Sequence, residues 1–134
     1  MIGEKRRILA VDDNAANLKL VTFLLSKYEL RTARNALEAL ALVESFGPEL
    51  LLLDLQLPDI DGLEVTRRLK ADPRTREIIV VAVTAYAMKG DEEKARAAGV
   101  DEYLTKPLER EPFRKAVARC LELGVNKMPG KVLT

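Results

Sequence analysis

The chain contains no histidine among its 134 residues and only one cysteine, Cys120. Without histidine it has neither a Ser-His-Asp nor a Cys-His nucleophile system, and a single cysteine argues against a zinc site. One cysteine also excludes an internal disulfide and is typical of a reducing compartment. Because Cys120 stands near Phe113, Ala116 and Val117 at helical spacing, we expect it to pack in a helix face. Any chemistry therefore falls to carboxylates, lysine and hydroxyls.

Long hydrophobic runs and an excess of charge are also missing. No apolar run approaches a membrane span, and the start, MIGEKRRILAVDD, has too few apolar residues for a secretory signal. Lys and Arg number 22 against 21 Asp and Glu, a formal net charge of +1. No global charge therefore directs the chain to nucleic acid or to an anionic membrane. We expect a cytoplasmic protein that binds neither DNA nor membrane.

Apolar runs alternate with helix-period segments along the chain. Five such β-α units predict an α/β fold in which helices cover both faces of a parallel sheet. The predicted pairs are RILAV with AANLKLVTFLLSK, ELRTA with ALEALALVESF, ELLLLD with LEVTRRLK, EIIVVAVT with DEEKARAA, and DEYL with PFRKAVARCLEL. The length suits one domain, which we place at residues 1–124, followed by a short flexible tail at residues 125–134.

The strand order follows from composition. Residues 8–11, 50–53 and 78–83 are continuously apolar, as expected of central strands that are buried on both faces. Residues 29–33 mix polar and apolar side chains and residues 101–104 are short and acidic, as edge strands tend to be. With right-handed crossovers, this favours a doubly wound five-stranded sheet of order 2-1-3-4-5, the flavodoxin-like arrangement.

Polar residues stand where the predicted strands end. Strand 1 ends in Asp12 and Asp13, strand 3 in Asp54, strand 4 in Thr84 and strand 5 in Lys106. Ligands of such sheets bind at this carboxyl edge, where the strand order reverses between strands 1 and 3. Three ionised carboxylates about 5 Å apart would repel one another by roughly 3 kcal/mol per pair at an effective dielectric near 20. The cluster therefore calls for a cation, either Lys106 or a divalent ion such as Mg²⁺.

The motifs VDDN, LLLDLQLPDIDG, VAVTA and YLTKP occur in this order at the predicted strand ends. As a joint pattern they closely resemble the receiver domain of two-component response regulators, and the resemblance covers about residues 6–123. The stretches LDLQLPDIDGLEVTRRLK and VVAVTAYAMKGDEEKARAAG are most similar to stand-alone receivers of the DivK type and to receiver domains of hybrid histidine kinases. The resemblance implies a phosphoprotein that carries an aspartyl phosphate.

The resemblance also implies a role for each motif residue. Asp54 is the implied phosphoacceptor, and Asp12, Asp13, Asp54 and the backbone carbonyl of Gln56 are the implied ligands of Mg²⁺. No other cofactor is implied.

Two further motifs supply the remaining implied roles. Thr84 and Lys106 are expected to contact the phosphoryl group, and Thr84 and Tyr103 are expected to form the conformational switch. Pro107 follows the lysine at a position where the family commonly has a cis peptide bond. Taken singly, these residues have other interpretations: Thr84 fits an ordinary strand residue, Lys106 a surface amine and Tyr103 edge-strand packing. In the same way, Asp12, Asp13 and Asn14 fit a cap of the first helix.

Two other functional classes compete with a signalling module. Haloacid dehalogenase-like phosphohydrolases also place an aspartate after an apolar strand, but that family expects an acid two residues later, where this chain has Gln56. A flavodoxin-like cofactor binder needs glycines or hydroxyls after strand 1, where the sequence is DDNAAN. A receiver-like protein with a purely structural role is disfavoured by the complete set of motif residues.

We therefore expect a single-domain response regulator of a two-component phosphorelay rather than an enzyme acting on other substrates. It should accept a phosphoryl group from a histidine kinase or a histidine phosphotransfer protein, and signal by contact with a downstream protein effector. The absence of a helix-turn-helix or basic face argues against direct DNA binding. A chemotaxis-type, motor-binding receiver is the alternative, and we expect a monomer or at most a weak dimer.

Overall fold

The computed structural model describes residues 5–85 and 88–123, in which strands and helices alternate along the chain. The strands are β1 (Arg7–Val11), β2 (Glu29–Ala33), β3 (Leu50–Asp54), β4 (Ile79–Thr84) and β5 (Glu102–Thr105). The helices are α1 (Ala15–Leu24), α2 (Ala36–Phe46), α3 (Gly62–Ala71), α4 (Asp91–Ala98) and α5 (Arg110–Leu123). The expected C-terminal tail, residues 125–134, lies outside the described residues.

The five strands form one parallel sheet in the order β2-β1-β3-β4-β5, which confirms the predicted topology. The central strands are β1, β3 and β4, and β2 and β5 form the edges. Within the sheet, Val11 is level with Leu53, and Asp54 is level with Val83. The carboxyl ends of β1, β3 and β4 therefore meet at one edge of the sheet, next to the crossover reversal.

Alternate strand residues fill two hydrophobic cores, one on each face of the sheet. The first contains Ile8, Leu52 and Val81 together with residues of α1 and α5. The second contains Leu9, Leu51, Leu53, Val80 and Ala82 together with residues of α2, α3 and α4. This arrangement explains the unbroken apolar runs, since both faces of a central strand are covered. Cys120 packs inside the first core, and its burial raises the pKa of its thiol to about 11.

Polar caps and glycines set the helix ends. Asn14 and Asn35 accept N–H groups from the first turns of α1 and α2, and Gly47 and Gly99 end α2 and α4 in the left-handed conformation. Helix α1 ends at Leu24, earlier than the sequence pattern predicts, because Leu25 begins a turn in which its carbonyl accepts the N–H of Tyr28. Within residues 5–85 and 88–123, every helix is too short or too polar to span a bilayer.

Candidate functional site

Three carboxylates meet at the carboxyl edge of the sheet. Asp12 and Asp13 follow β1 directly and Asp54 is the last residue of β3, and one carboxylate oxygen from each lies within 4.8 Å of the others. Asp12 and Asp54 are buried, whereas Asp13 is exposed. The strand ends therefore bring together the acids that the sequence pattern singled out. Oxygen donors at this spacing suit a hard divalent cation.

Asp12 is fixed by hydrogen bonds to each of its oxygens. Its Oδ1 accepts the backbone N–H of Asn14 at 2.9 Å, and its Oδ2 accepts the side-chain amide of Asn17 at 3.1 Å. Its own N–H donates to the carbonyl of Ala33 at the end of β2. The capping role that the sequence left open for this loop belongs to Asn14, whose side chain accepts the N–H of Asn17. These hydrogen bonds therefore fix the position of the Asp12 carboxylate at the sheet edge.

Lys106 joins the two buried carboxylates. Its Nζ donates to Asp12 Oδ2 at 3.0 Å and to Asp54 Oδ2 at 3.4 Å. The backbone N–H of Lys106 donates to the carbonyl of Thr84 at 2.8 Å, so the end of β4 positions the start of the lysine loop. The other oxygen of Asp54, Oδ1, accepts the N–H of Gln56 at 3.0 Å. One amine thus bridges strands β1 and β3 from the end of β5.

Burial and neighbouring charges shift the pKa values of these groups in different directions. Burial raises the pKa of Asp54 and the nearby charge of Asp12 raises it further, against the lowering effects of the Gln56 N–H and Lys106. Burial opposes ionisation of Asp12 too, but hydrogen bonds from Asn14 and Lys106 outweigh it and lower the pKa of Asp12. The two carboxylates raise the pKa of Lys106 despite its own burial. A crowded acidic site with one amine remains short of positive charge.

Gly62 allows the start of α3 to pack behind the site. A Cβ at this position would lie 2.7 Å from the Cα of Leu55 and 3.0 Å from the backbone oxygen of Asp54. Real Cβ atoms do not approach backbone so closely, so only glycine fits here without a shift. The N–H of Gly62 donates to the Leu55 carbonyl, which closes the loop between β3 and α3.

The remaining predicted site residues lie around this cluster. Thr84 is buried at the end of β4, and the Lys106–Pro107 peptide bond is cis. The side chain of Gln56 is exposed. Tyr103 packs its ring against the second core, and within the described residues its buried hydroxyl has no hydrogen-bond partner. Burial raises the pKa of this hydroxyl, with smaller effects from the acids at the start of α4.

A cavity of about 380 Å³ opens beside the carboxylates. Asp12, Asp54 and Lys106 line its polar end, and side chains such as Leu18 and Phe113 line the rest. An apolar wall that includes residues of α1 and α5 therefore lies next to the carboxylates.

Two contacts of the acidic loops had no counterpart in the sequence pattern. Arg34 donates from its guanidinium to the carbonyl of Asp13. Asp59, in the loop between β3 and α3, accepts the N–H groups of Ala36 and Leu37 at the start of α2. Their partners are distant in sequence, so local pattern carries no signal for either contact.

Comparison with known proteins identifies the family. The model of the response regulator receiver domain matches residues 8–118, and this chain belongs to that family. It is 49% identical over 105 residues to the polar-differentiation response regulator DivK of Brucella anthropi, an alignment that covers 77% of this chain and 85% of that protein.

Solved structures share the fold. A CheY-like response regulator receiver domain protein from Methanospirillum hungatei has a TM-score of 0.82 at 30% identity, covering 89% of this chain and 95% of its own. The Mn²⁺-bound form of the response regulator Rcp1 has a TM-score of 0.73 at 29% identity, covering 96% and 99%. A divalent cation is thus present in a relative, and the three carboxylates described above are suited to hold one here.

Proposed function

We propose that this protein is a single-domain response regulator that accepts a phosphoryl group from phosphohistidine onto Asp54 in a Mg²⁺-dependent reaction. The observation that carries the proposal is the Lys106 amine, which contacts Asp12 and Asp54 at the end of the sheet while Asp13 completes the acidic cluster. A structural salt bridge needs one carboxylate for one amine. A site for phosphoryl transfer needs an acid to attack, acids to bind a cation and an amine to stabilise the transferred oxygens.

The transfer uses one oxygen of Asp54 as the nucleophile. This oxygen forms a bond to phosphorus as the phosphorus–nitrogen bond of the phosphohistidine breaks, and the leaving imidazole nitrogen keeps the electron pair and takes up a proton. The product is a mixed anhydride of the Asp54 carboxyl group. The N–H of Gln56 holds Oδ1 of Asp54, and the Lys106 amine lies where it can stabilise the negative phosphoryl oxygens.

The acidic cluster supplies ligands for Mg²⁺. Asp12, Asp13, Asp54 and the backbone carbonyl of Gln56 would hold the ion, as the family resemblance implies. When bound, Mg²⁺ offsets the negative charge of both the carboxylates and the phosphoryl oxygens. The raised pKa of Asp54 agrees with a site that is short of positive charge until a cation binds.

Phosphorylation should change the face formed by α4, β5 and α5. The added oxygens attract the Thr84 hydroxyl, and Tyr103 responds to the space that Thr84 leaves. The ring of Tyr103 lines a surface groove of about 750 Å³ on this face, together with the exposed side chain of Met88. We propose this groove as the effector contact. With a phosphoryl mimic bound, backbone NMR shifts should spread from Asp54 to Thr84 and Tyr103, and shifts confined to Asp54 would contradict this switch.

The remaining functional proposals concern partners and setting. The phosphodonor is a histidine kinase or histidine phosphotransfer protein, and the output is contact with a protein effector in the cytoplasm. The protein catalyses only its own phosphorylation and dephosphorylation. This proposal is supported by the similarity to a DivK response regulator over most of the chain.

The test is phosphorylation by acetyl phosphate, followed by intact-protein mass spectrometry. The wild type with Mg²⁺ should gain the mass of one phosphoryl group, and EDTA or the substitution Asp54→Asn should abolish the gain. Asp72→Asn is the matched control, because it removes an acid that pairs with Arg74 outside the site. Sustained phosphatase turnover without an adduct would instead support the haloacid dehalogenase alternative.

A further inference from the structure

Residues 34–37, which are the turn after β2 and the first two residues of α2, contact both loops that carry the acidic cluster. On one side, the guanidinium of Arg34 donates from Nε and from a terminal nitrogen to the carbonyl of Asp13, at 3.0 and 2.8 Å. Two parallel donations from one planar group to one carbonyl fix the backbone at Asp13. The side chain of Asp13 starts from that backbone, so the contact also limits where its carboxylate can reach.

On the other side, the turn contacts the loop between β3 and α3. Both oxygens of Asp59 accept backbone N–H groups at the start of α2, from Ala36 and Leu37 at 2.9 Å each. These hydrogen bonds, that of Ala36 foremost, lower the pKa of Asp59. Asp59 therefore stays ionised at neutral pH. It connects the loop containing Gln56 to the neighbouring helix.

We propose that the turn at residues 34–37 is a positioning element, which holds the loops of Asp13 and Gln56 at the spacing that a divalent cation requires. This inference rests on the proposed function, since it concerns the same cation site. Asp12 and Asp54 are already linked by Lys106. Asp13 and Gln56 lie just outside that link, and the turn adds a second connection between their two loops.

Arg34 offers the sharper test, because two explanations predict opposite results. If its positive charge were all that mattered, removing it would strengthen binding of a cation to the acidic cluster. If Arg34 positions Asp13, removing it weakens binding. Partners that hold metal ligands in place typically contribute tenfold or more to affinity, and for Arg34→Ala we expect a loss of about three- to tenfold.

The experiment measures the Mg²⁺ dissociation constant of the intact chain by isothermal titration calorimetry, without any phosphodonor. Arg31→Ala is the matched control, because Arg31 lies on β2, where it packs over the ring of Phe46 and pairs with Glu29. We expect Arg34→Ala to bind Mg²⁺ more weakly than the wild type and Arg31→Ala to bind it equally or slightly more tightly. Unchanged or tighter binding by Arg34→Ala would overturn the proposal.

The Asp59 contact is tested against Asp61→Asn, which removes a charge from the same loop but keeps an oxygen for its own cap on Leu63. If Asp59 positions the loop, Asp59→Ala weakens Mg²⁺ binding several-fold more than this control. If Asp59 only stabilises α2, Asp59→Ala lowers the melting temperature and leaves Mg²⁺ affinity unchanged, which would also overturn the proposal.

The two proposals fail in different ways. A wild-type chain that neither binds Mg²⁺ nor accepts a phosphoryl group would refute the proposed function and, with it, this inference. A wild type that does both, with variants of Arg34 and Asp59 that match their controls, would refute the positioning role alone.

Discussion

Replacing Asp54 with asparagine should stabilise the metal-free protein. Asp54 is only 5% exposed, and it shares with Asp12 a cluster in which carboxylate oxygens lie within 4.8 Å. At an effective dielectric of 20, two unit charges at that distance repel by roughly 3 kcal/mol. Asparagine removes the charge but keeps an oxygen that can accept the N–H of Gln56.

Lys106 opposes this gain. Its amine lies 3.4 Å from Asp54, which on the same scale is an attraction of roughly 5 kcal/mol. It is closer to Asp12, at 3.0 Å, and asparagine leaves that pair intact. These two charge interactions alone favour the ionised form, so the sign of the net effect depends on the cost of burying the Asp54 carboxylate, which is the largest cause of its raised pKa. We therefore expect a net gain in stability at pH 7, and each 1 kcal/mol of it raises Tm by roughly 3–5 °C in a domain of this size.

The pH dependence of this gain has a definite sign. Because the folded state raises the pKa of Asp54, the protonated group favours folding, and this favourable effect is lost as pH rises through the folded pKa. The stability of the wild type therefore approaches that of Asp54→Asn at low pH. The stability advantage of the variant grows as pH rises through the folded pKa of Asp54.

The assay is thermal unfolding followed by circular dichroism, in EDTA and then in Mg²⁺. Asp72→Asn is the control, because a hydrogen bond from Arg74 lowers the pKa of Asp72, and its loss should give no stabilisation. Saturating Mg²⁺ should reduce the difference in Tm between the two proteins, since the wild type binds the ion more tightly than the variant. An Asp54→Asn protein that is less stable than the wild type in EDTA at pH 7 would refute this reasoning.

Other substitutions test the remaining parts of the structure. Lys106→Met leaves two carboxylates without their amine and should lower stability by roughly 1–3 kcal/mol in EDTA, with partial recovery in Mg²⁺; urea unfolding measures both. Leu51→Ala, at a fully buried position, should cost about 2–4 kcal/mol in the same assay. Gly62→Ala places a Cβ 2.7 Å from Leu55 and should lower both stability and Mg²⁺ affinity in calorimetry, whereas unchanged values would contradict the close packing. Cys120, with its pKa near 11, should react with a disulfide reagent at pH 8 only after denaturation, and rapid labelling of the native protein would contradict its burial.

The sheet could be predicted from the sequence because its signal is local. Leu50 to Leu53 form an unbroken apolar run, and a strand with both faces covered needs that composition. The strand ends were predicted less evenly: β3 ends in Asp54 as expected, whereas β5 runs from Glu102 to Thr105 rather than over residues 101–104. Side-chain composition marks where a strand is buried, but hydrogen bonding decides where it ends.

The acidic cluster could also be predicted, since strand order places successive strand ends at one edge. The contacts that support this cluster could not be predicted from the sequence. Arg34 and Asp59 are exposed polar residues, and each contacts backbone more than 20 positions away. Nothing in the adjacent sequence distinguishes such residues from ordinary surface charges. At the start of α3, the side chain of Asp61 accepts the N–H of Leu63, while Glu64 pairs with Arg68.

The most direct test of the central claim is to locate the phosphoryl group. Borohydride reduces an acyl phosphate of aspartate to homoserine, so the chain treated with acetyl phosphate and Mg²⁺ can be reduced, digested and sequenced by mass spectrometry. Our account predicts homoserine at position 54 alone, with none in EDTA. Homoserine at position 12 or 13, or its absence from position 54 in a chain that has gained a phosphoryl group, would contradict it.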